Sequence, residues 1–176
     1  MKKLFLLIIA FSCFSATVQQ IPQLNETDTA SIIKASYLYN FSKLVDWPAE
    51  YKTGNFVISV MGGSNLHKEL VDKYNTKQIG SQQLEIRKLS KTLNISSCHV
   101  LYVGPECTDI LPEISKSLKN QPTLIVADSE GSLLRGAALN FVVDGSQLKF
   151  EMNESNASSR DLFIGSTLKS LAIESK

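Results

Sequence analysis

The residues with the best chance of doing chemistry sit where apolar runs end. Gly62-Gly63-Ser64-Asn65 follows one such run and precedes a helical pattern. Backbone N–H groups at a turn of this kind are suited to receiving an anion. Gly104-Pro105-Glu106 and Asp128-Ser129-Glu130 follow two further apolar runs. In an open α/β sheet, small ligands gather beyond the carboxyl ends of the strands. The candidate ligand loops are therefore 62–65, with Gly62, Gly63 and Ser64, and 128–130, with Asp128 foremost. Their spacing matches neither a dinucleotide fingerprint nor a P-loop, and glycine at a strand-to-helix turn is also required by sterics alone. Asp128 and Glu130 have the types for a carboxylate pair, although two acids on a solvated loop look the same.

Other constellations are weaker. Cys98-His99 has the types of a metal-ligand pair, but neighbours on a strand point to opposite faces and cannot easily share one ion. His67 stands apart at an exposed helix start. No GxSxG or equivalent places a serine beside a base, so the sequence offers no catalytic residue, metal site or cofactor motif. Cys98 and Cys107 lie at the two ends of a predicted strand over residues 98–103. Six residues at ~3.3 Å each exceed the ~7 Å limit for a disulfide, so two free thiols are expected unless the loop folds back sharply.

These candidates belong to a chain of 176 residues, 43% hydrophobic and 20% charged. That suits one globular domain and excludes wholesale disorder or a collagen-like repeat. The net charge is +1, with no basic stripe, so a nucleic-acid partner is not expected. Lys2-Lys3 followed by the apolar run of residues 4–14 and small residues at Ser15 and Ala16 has the layout of a secretory signal peptide. The expected organisation is a signal peptide over 1–16, a flexible leader over 17–28 and a single domain over 29–176. Removing residues 1–15 takes two lysines and no acid, which moves the charge to −1.

The elements that position the loops follow from periodicity. A helix is predicted from Thr29 to Trp47, with Ile33, Tyr37, Phe41, Leu44 and Trp47 on one apolar face and Pro48 as its stop. Strands are predicted at 56–61, 83–89, 98–103 and 123–127. A second helix is capped by Ser64 or Asn65, and a third runs over about 108–119. A short helical or loop piece near 132–135 comes next. Asp144-Gly145-Ser146 marks a hairpin joining 138–143 to 147–152. A last helix spans roughly 158–173. This order predicts an α/β fold: a mostly parallel sheet flanked by helices on both faces, with an antiparallel C-terminal hairpin at one edge.

The residues from Lys34 to Pro48, with Tyr37-Leu38-Tyr39-Asn40-Phe41 and Asp46-Trp47-Pro48, resemble the opening signature of the YfiR/HmsC-like family (DUF4154). Similar stretches follow in order at 56–63, 98–104, 122–128, 139–141, 149–153 and 166–172, so the resemblance spans about residues 30–173. It implies a periplasmic, non-enzymatic repressor. Such a protein binds the periplasmic domain of a membrane diguanylate cyclase and lowers cyclic-di-GMP and biofilm formation. The resemblance further implies a homodimer, and an outer-membrane lipoprotein able to draw the repressor away. Relatives with structural disulfides tie repression to redox state, but Ser59 offers no partner to Cys98 here.

Within the opening helix, the apolar stripe reads as core. Tyr39, Asn40 and Lys43 lie off it and are the candidate partner-binding residues, since polar-tipped side chains suit protein interfaces. The contrasting reading is a periplasmic small-ligand-binding domain that uses the loops at 62–65 and 128–130.

Overall fold

The computed structural model describes residues 26–173. The expected signal peptide and residues 17–25 of the leader lie outside them. The first helix, α1 (Glu26–Leu44), starts inside the segment read as leader. A two-residue strand β1 (Val45–Asp46) follows, then β2 (Phe56–Met61), α2 (Ser64–Tyr74), β3 (Gln78–Ile79) and β4 (Gln82–Leu89). Next come β5 (Val100–Val103), α3 (Leu111–Ser117) and β6 (Leu124–Ala127), then the hairpin β7 (Leu139–Asp144) and β8 (Gln147–Met152). The chain continues through α4 (Glu154–Ser158), β9 (Phe163–Ile164) and α5 (Ser166–Leu171).

The mixed α/β class and the mostly parallel sheet are observed. Seven strands run in the order β3-β4-β2-β5-β6-β7-β8. The five from β4 to β7 are parallel; β3 and β8 are antiparallel edges. Every residue of β2, β5 and β6 is buried, as expected for near-continuous apolar runs, broken in β2 only by Ser59. Side chains alternate across the sheet. Ile58, Val60, Val100, Tyr102 and Val126 pack in one cluster with Leu38 and Phe41 of α1, Leu66 and Leu70 of α2, and Leu168 of α5. Val57, Met61, Leu101, Val103 and Ile125 pack in a second with Leu111 and Ile114 of α3. Cys98 and Cys107 both lie in this second cluster as free thiols, and burial pushes the Cys98 thiol up to about 11.

Several boundaries differ from the sequence expectation. α1 ends at Leu44 rather than Trp47, because Val45 and Asp46 pair antiparallel with Ile164 and Phe163. Its buried stripe is Ala35, Leu38 and Phe41, whereas Ile33 is exposed. Phe41 packs edge-on against Phe150 of β8 at 4.8 Å, which draws the stripe toward the hairpin. The predicted third helix begins as 3-10 turns over Pro105–Ile110, and α-geometry starts only at Leu111. The single last helix is instead α4, β9 and α5. Asp161, in left-handed backbone at φ 56°, ends the first piece, and the β1 pairing claims the next. β5 opens at Val100, so Cys98 and His99 precede the strand.

Outside the helix, Trp47 is still core. Its indole meets Phe56 edge-on at 5.0 Å and His99 at 5.9 Å, and the side chain is 5% exposed. No helix among the described residues is long and apolar enough to cross a membrane. Trp47→Ala should therefore cost about 3 kcal/mol or more of unfolding free energy. Asn40→Ala, on the exposed side of α1, should stay within about 0.5 kcal/mol. Denaturant titration of both variants checks this, and a mild Trp47 variant would show that the indole is not a packing anchor.

Candidate functional site

The strand order creates a switch point. From β2 the chain crosses to β4 on one side, then returns to β5 on the other, so a crevice opens beyond the carboxyl ends of β2 and β5. A cavity of about 600 Å³ lies there, lined by Lys34, Gly63, Ser64, Tyr102, Glu106 and Asp128 among others. The structure thus brings together Gly63, Ser64 and Asp128, three of the residues singled out from the sequence. Glu130 does not join them, so the carboxylate pair with Asp128 is not formed at this site.

The anion position at the glycine turn is filled from within the chain. The Glu106 carboxylate accepts the Gly63 N–H at 2.7 Å, at the start of α2. It therefore takes the place expected for Ser64 or Asn65, neither of which caps the helix; Asn65 instead donates to Asp28 at 3.0 Å. A negative group at a helix N-terminus satisfies an orphan donor and the dipole together. The approach explains the glycines. A Cβ on Gly62 or Gly104 would lie 2.8 or 2.9 Å from the Glu106 carboxyl, and Gly62 also has φ +77°.

The rest of the crevice is closed by a charge pair. Lys34 of α1 forms an ion pair with Asp128 at the end of β6, and Tyr102 donates to the same carboxylate at 2.8 Å. Burial, with the Asp128 charge, drives the Tyr102 hydroxyl far above its ordinary value, so it acts only as a neutral donor. The turn after Asp128 is held by Asn140, whose side chain accepts from Ser129 N–H at 3.1 Å and donates to Glu151 at 2.8 Å. Lys34 and Tyr102 were not singled out from the sequence as site residues, and Glu106 stood there only as part of the Gly104-Pro105-Glu106 strand end. Glu106 alone had a local signal, as the acid two residues after Gly104. Lys34 and Tyr102 reach the crevice through packing that no spacing announces.

His99 is a structural residue. Its Nδ1 accepts from Val57 N–H at 3.0 Å, and Nε2–H donates to the Tyr51 carbonyl at 2.7 Å. Phe56 stacks on the ring at 4.2 Å. Both nitrogens are used, and burial lowers its affinity for a proton. His67 is half-buried on α2 rather than exposed. Among the described residues, no group of three His, Cys, Asp or Glu side chains is placed to hold a metal.

The three α1 candidates separate by environment. Asn40 and Lys43 are exposed. Tyr39 is half-buried: its ring lies 4.7 Å from that of Tyr74 on α2, and its hydroxyl reaches the Gln78 carbonyl at 3.4 Å. The Lys43 ammonium sits 4.5 Å from the Tyr39 ring. Tyr39 thus fastens α1 to α2 and supports Lys43, while Asn40 and Lys43 are available at the surface.

Fold and site define an open α/β domain whose ligand crevice is bridged by its own side chains. The chain belongs to the YfiR/HmsC-like family, DUF4154, which matches residues 31–173 and is regulatory rather than catalytic. No curated protein matches the chain.

Two outcomes follow from this geometry. The folded protein holds His99 below its ordinary value of 6.5, so the unfolded chain binds the proton more readily. The stability this contributes is present above pH 6.5 and is lost as pH falls through the folded value. The denaturation midpoint should therefore decline below that pH, and ring-proton NMR should show His99 titrating under 6.5; titration above it would refute the burial argument. Glu106→Ala should cost about 1 kcal/mol as the cap is lost, and Glu106→Gln less, because its amide oxygen still accepts. Equal stability of all three chains would mean that the contact with Gly63 is idle.

Proposed function

We propose that this chain is a periplasmic regulator that binds and represses the periplasmic sensor region of an inner-membrane diguanylate cyclase, lowering cyclic-di-GMP and biofilm formation. The observation that carries this reading is membership of the YfiR/HmsC-like family across residues 31–173. The crevice supports it as well. Glu106 already occupies the anion position and Lys34 already pairs with Asp128, so a ligand there would have to compete with contacts the chain makes itself. The contact is assigned to the exposed part of α1, Asn40 and Lys43, with Tyr39 bracing Lys43 from beneath. The working form is a homodimer, relieved by an outer-membrane lipoprotein that competes for it.

A second reading, a small-ligand-binding domain using 62–65 and 128–130, draws on the 600 Å³ cavity and on the convergence of Gly63, Ser64 and Asp128 there. It is the lesser one, since a ligand would have to displace Glu106 from Gly63 or separate Lys34 from Asp128.

Deleting the gene and measuring cyclic-di-GMP tests the proposal. The level should rise, and the wild-type chain, recovered from the periplasm with an N-terminus near Ala16 or Thr17, should restore it. Asn40→Ala and Lys43→Glu should keep the wild-type melting temperature yet restore repression poorly. An unchanged level on deletion would remove the repressor reading. Full restoration by both variants would move the docking face off α1.

A further inference from the structure

A cavity of about 250 Å³ lies where the end of α1 and β1 meet the turn between β3 and β4. Val45, Phe56 and Ile79 give it apolar walls, and Trp47 belongs to the same lining. So does the exposed Lys43, one of the α1 contact residues.

The hydrogen-bonding capacity of this lining is used unevenly. Gln82 Nε2 donates to the Tyr51 and Thr53 carbonyls at 3.0 and 3.1 Å, and Ser42 Oγ donates to the Leu38 carbonyl at 2.8 Å. Asp46, the sole acid of the lining, pairs with Lys52 at 2.6 Å. The donors of Trp47 and Lys43 are left over. The indole N–H of Trp47 is buried and has no hydrogen-bond partner, on a side chain 5% exposed. The Lys43 ammonium rests over the Tyr39 ring and meets no carboxylate among the described residues. A buried donor without an acceptor is a costly exception in a folded chain. What the cavity lacks is an anionic acceptor on a short apolar stem.

We propose that this cavity receives a glutamate side chain of the partner protein. The carboxylate supplies the acceptor that Trp47 lacks and the countercharge that Lys43 lacks, while its methylenes lie against Phe56 and Ile79. Size favours a side chain over a free metabolite, since pockets for small molecules usually span about 300–1,000 Å³. Position favours it as well, because Lys43 belongs both to this lining and to the contact assigned on α1. A charge-assisted bond shielded from water is also the kind of contact that fixes the register of an interface. The inference rests on the reading of the chain as a protein-binding regulator, and adds which chemical group of the partner enters and where.

The chain has a single tryptophan, so one indole N–H resonance reports on the cavity directly. The test titrates the isotope-labelled mature chain with a capped Ala/Glu/Ala tripeptide, its Gln counterpart and its Lys counterpart. The Glu peptide should move that resonance and bind at least about tenfold tighter than either control, a margin that equilibrium titration resolves easily. Ser81 is exposed and lines the cavity from the β3–β4 turn, so Ser81→Tyr fills it without touching α1. Ser81→Tyr and, separately, Lys43→Gln should each remove the preference while keeping the wild-type melting temperature. An indole resonance that answers the three peptides alike or not at all, or variants that bind like wild type, overturns the proposal. In cells, Ser81→Tyr should leave cyclic-di-GMP as high as deletion does. If deletion raises the level but Ser81→Tyr restores repression fully, the cavity is no contact and the repressor reading stands. If deletion changes nothing while the peptide series behaves as expected, the repressor reading falls and the carboxylate site stands.

Discussion

The constraint on which the rest of the molecule depends is that β2, β5 and β6 are apolar on both faces. A sheet with such a centre cannot leave either face to water, since each large apolar side chain gains ~1.5–3 kcal/mol from burial. Residues of α1, α2 and α5 pack in one core cluster with these strands and residues of α3 in the other. α1 contributes most visibly, because Leu38 and Phe41 lie over the sheet while Phe41 and Tyr37 reach the hairpin through Phe150. The same requirement explains Trp47. It follows β1, which ties the end of α1 to β9, and it fills the space beside Phe56 and His99.

Covering both faces also decides what happens at the strand ends. α1 passes over the carboxyl end of the sheet, which brings Lys34 to Asp128, and the β5 turn brings Glu106 to Gly63. A switch-point crevice that in other open α/β proteins would receive a ligand is here spanned by internal contacts. The glycines at 62 and 104 serve those contacts, since a side chain at either would strike the Glu106 carboxyl. A surface-binding regulator is consistent with such a crevice, because its specificity resides in exposed side chains rather than in that crevice.

Where cover is incomplete, surface properties change. The short connection from β6 to β7 leaves apolar Leu134 in water, and Val143 is exposed beside the hairpin turn. Elsewhere, exposed charges pair locally, as in Lys68 with Asp72 and Lys91 with Asp109, an arrangement of small energetic weight that keeps a surface solvated.

Much of this organisation is determined by local sequence. The buried strands at β5 and β6 are uninterrupted apolar runs and β2 is broken only by Ser59, the hairpin is announced by Asp144-Gly145, and the family signature from Lys34 to Pro48 lies in one stretch. Gly62, Gly63, Ser64 and Asp128 could be placed at strand ends because strand termini follow from periodicity. What needed the tertiary structure was every contact between segments distant in the chain. Glu106 replaces Ser64 as the cap because the β5 turn comes within hydrogen-bonding reach of the β2 turn. α1 stops at Leu44, and the C-terminal helix breaks, because two short strands far apart in sequence pair with each other and backbone hydrogen bonds outweigh local helical preference. The role of Tyr39 changes for the same reason: helical periodicity shows which face it occupies, but only packing shows that Tyr74 stands opposite.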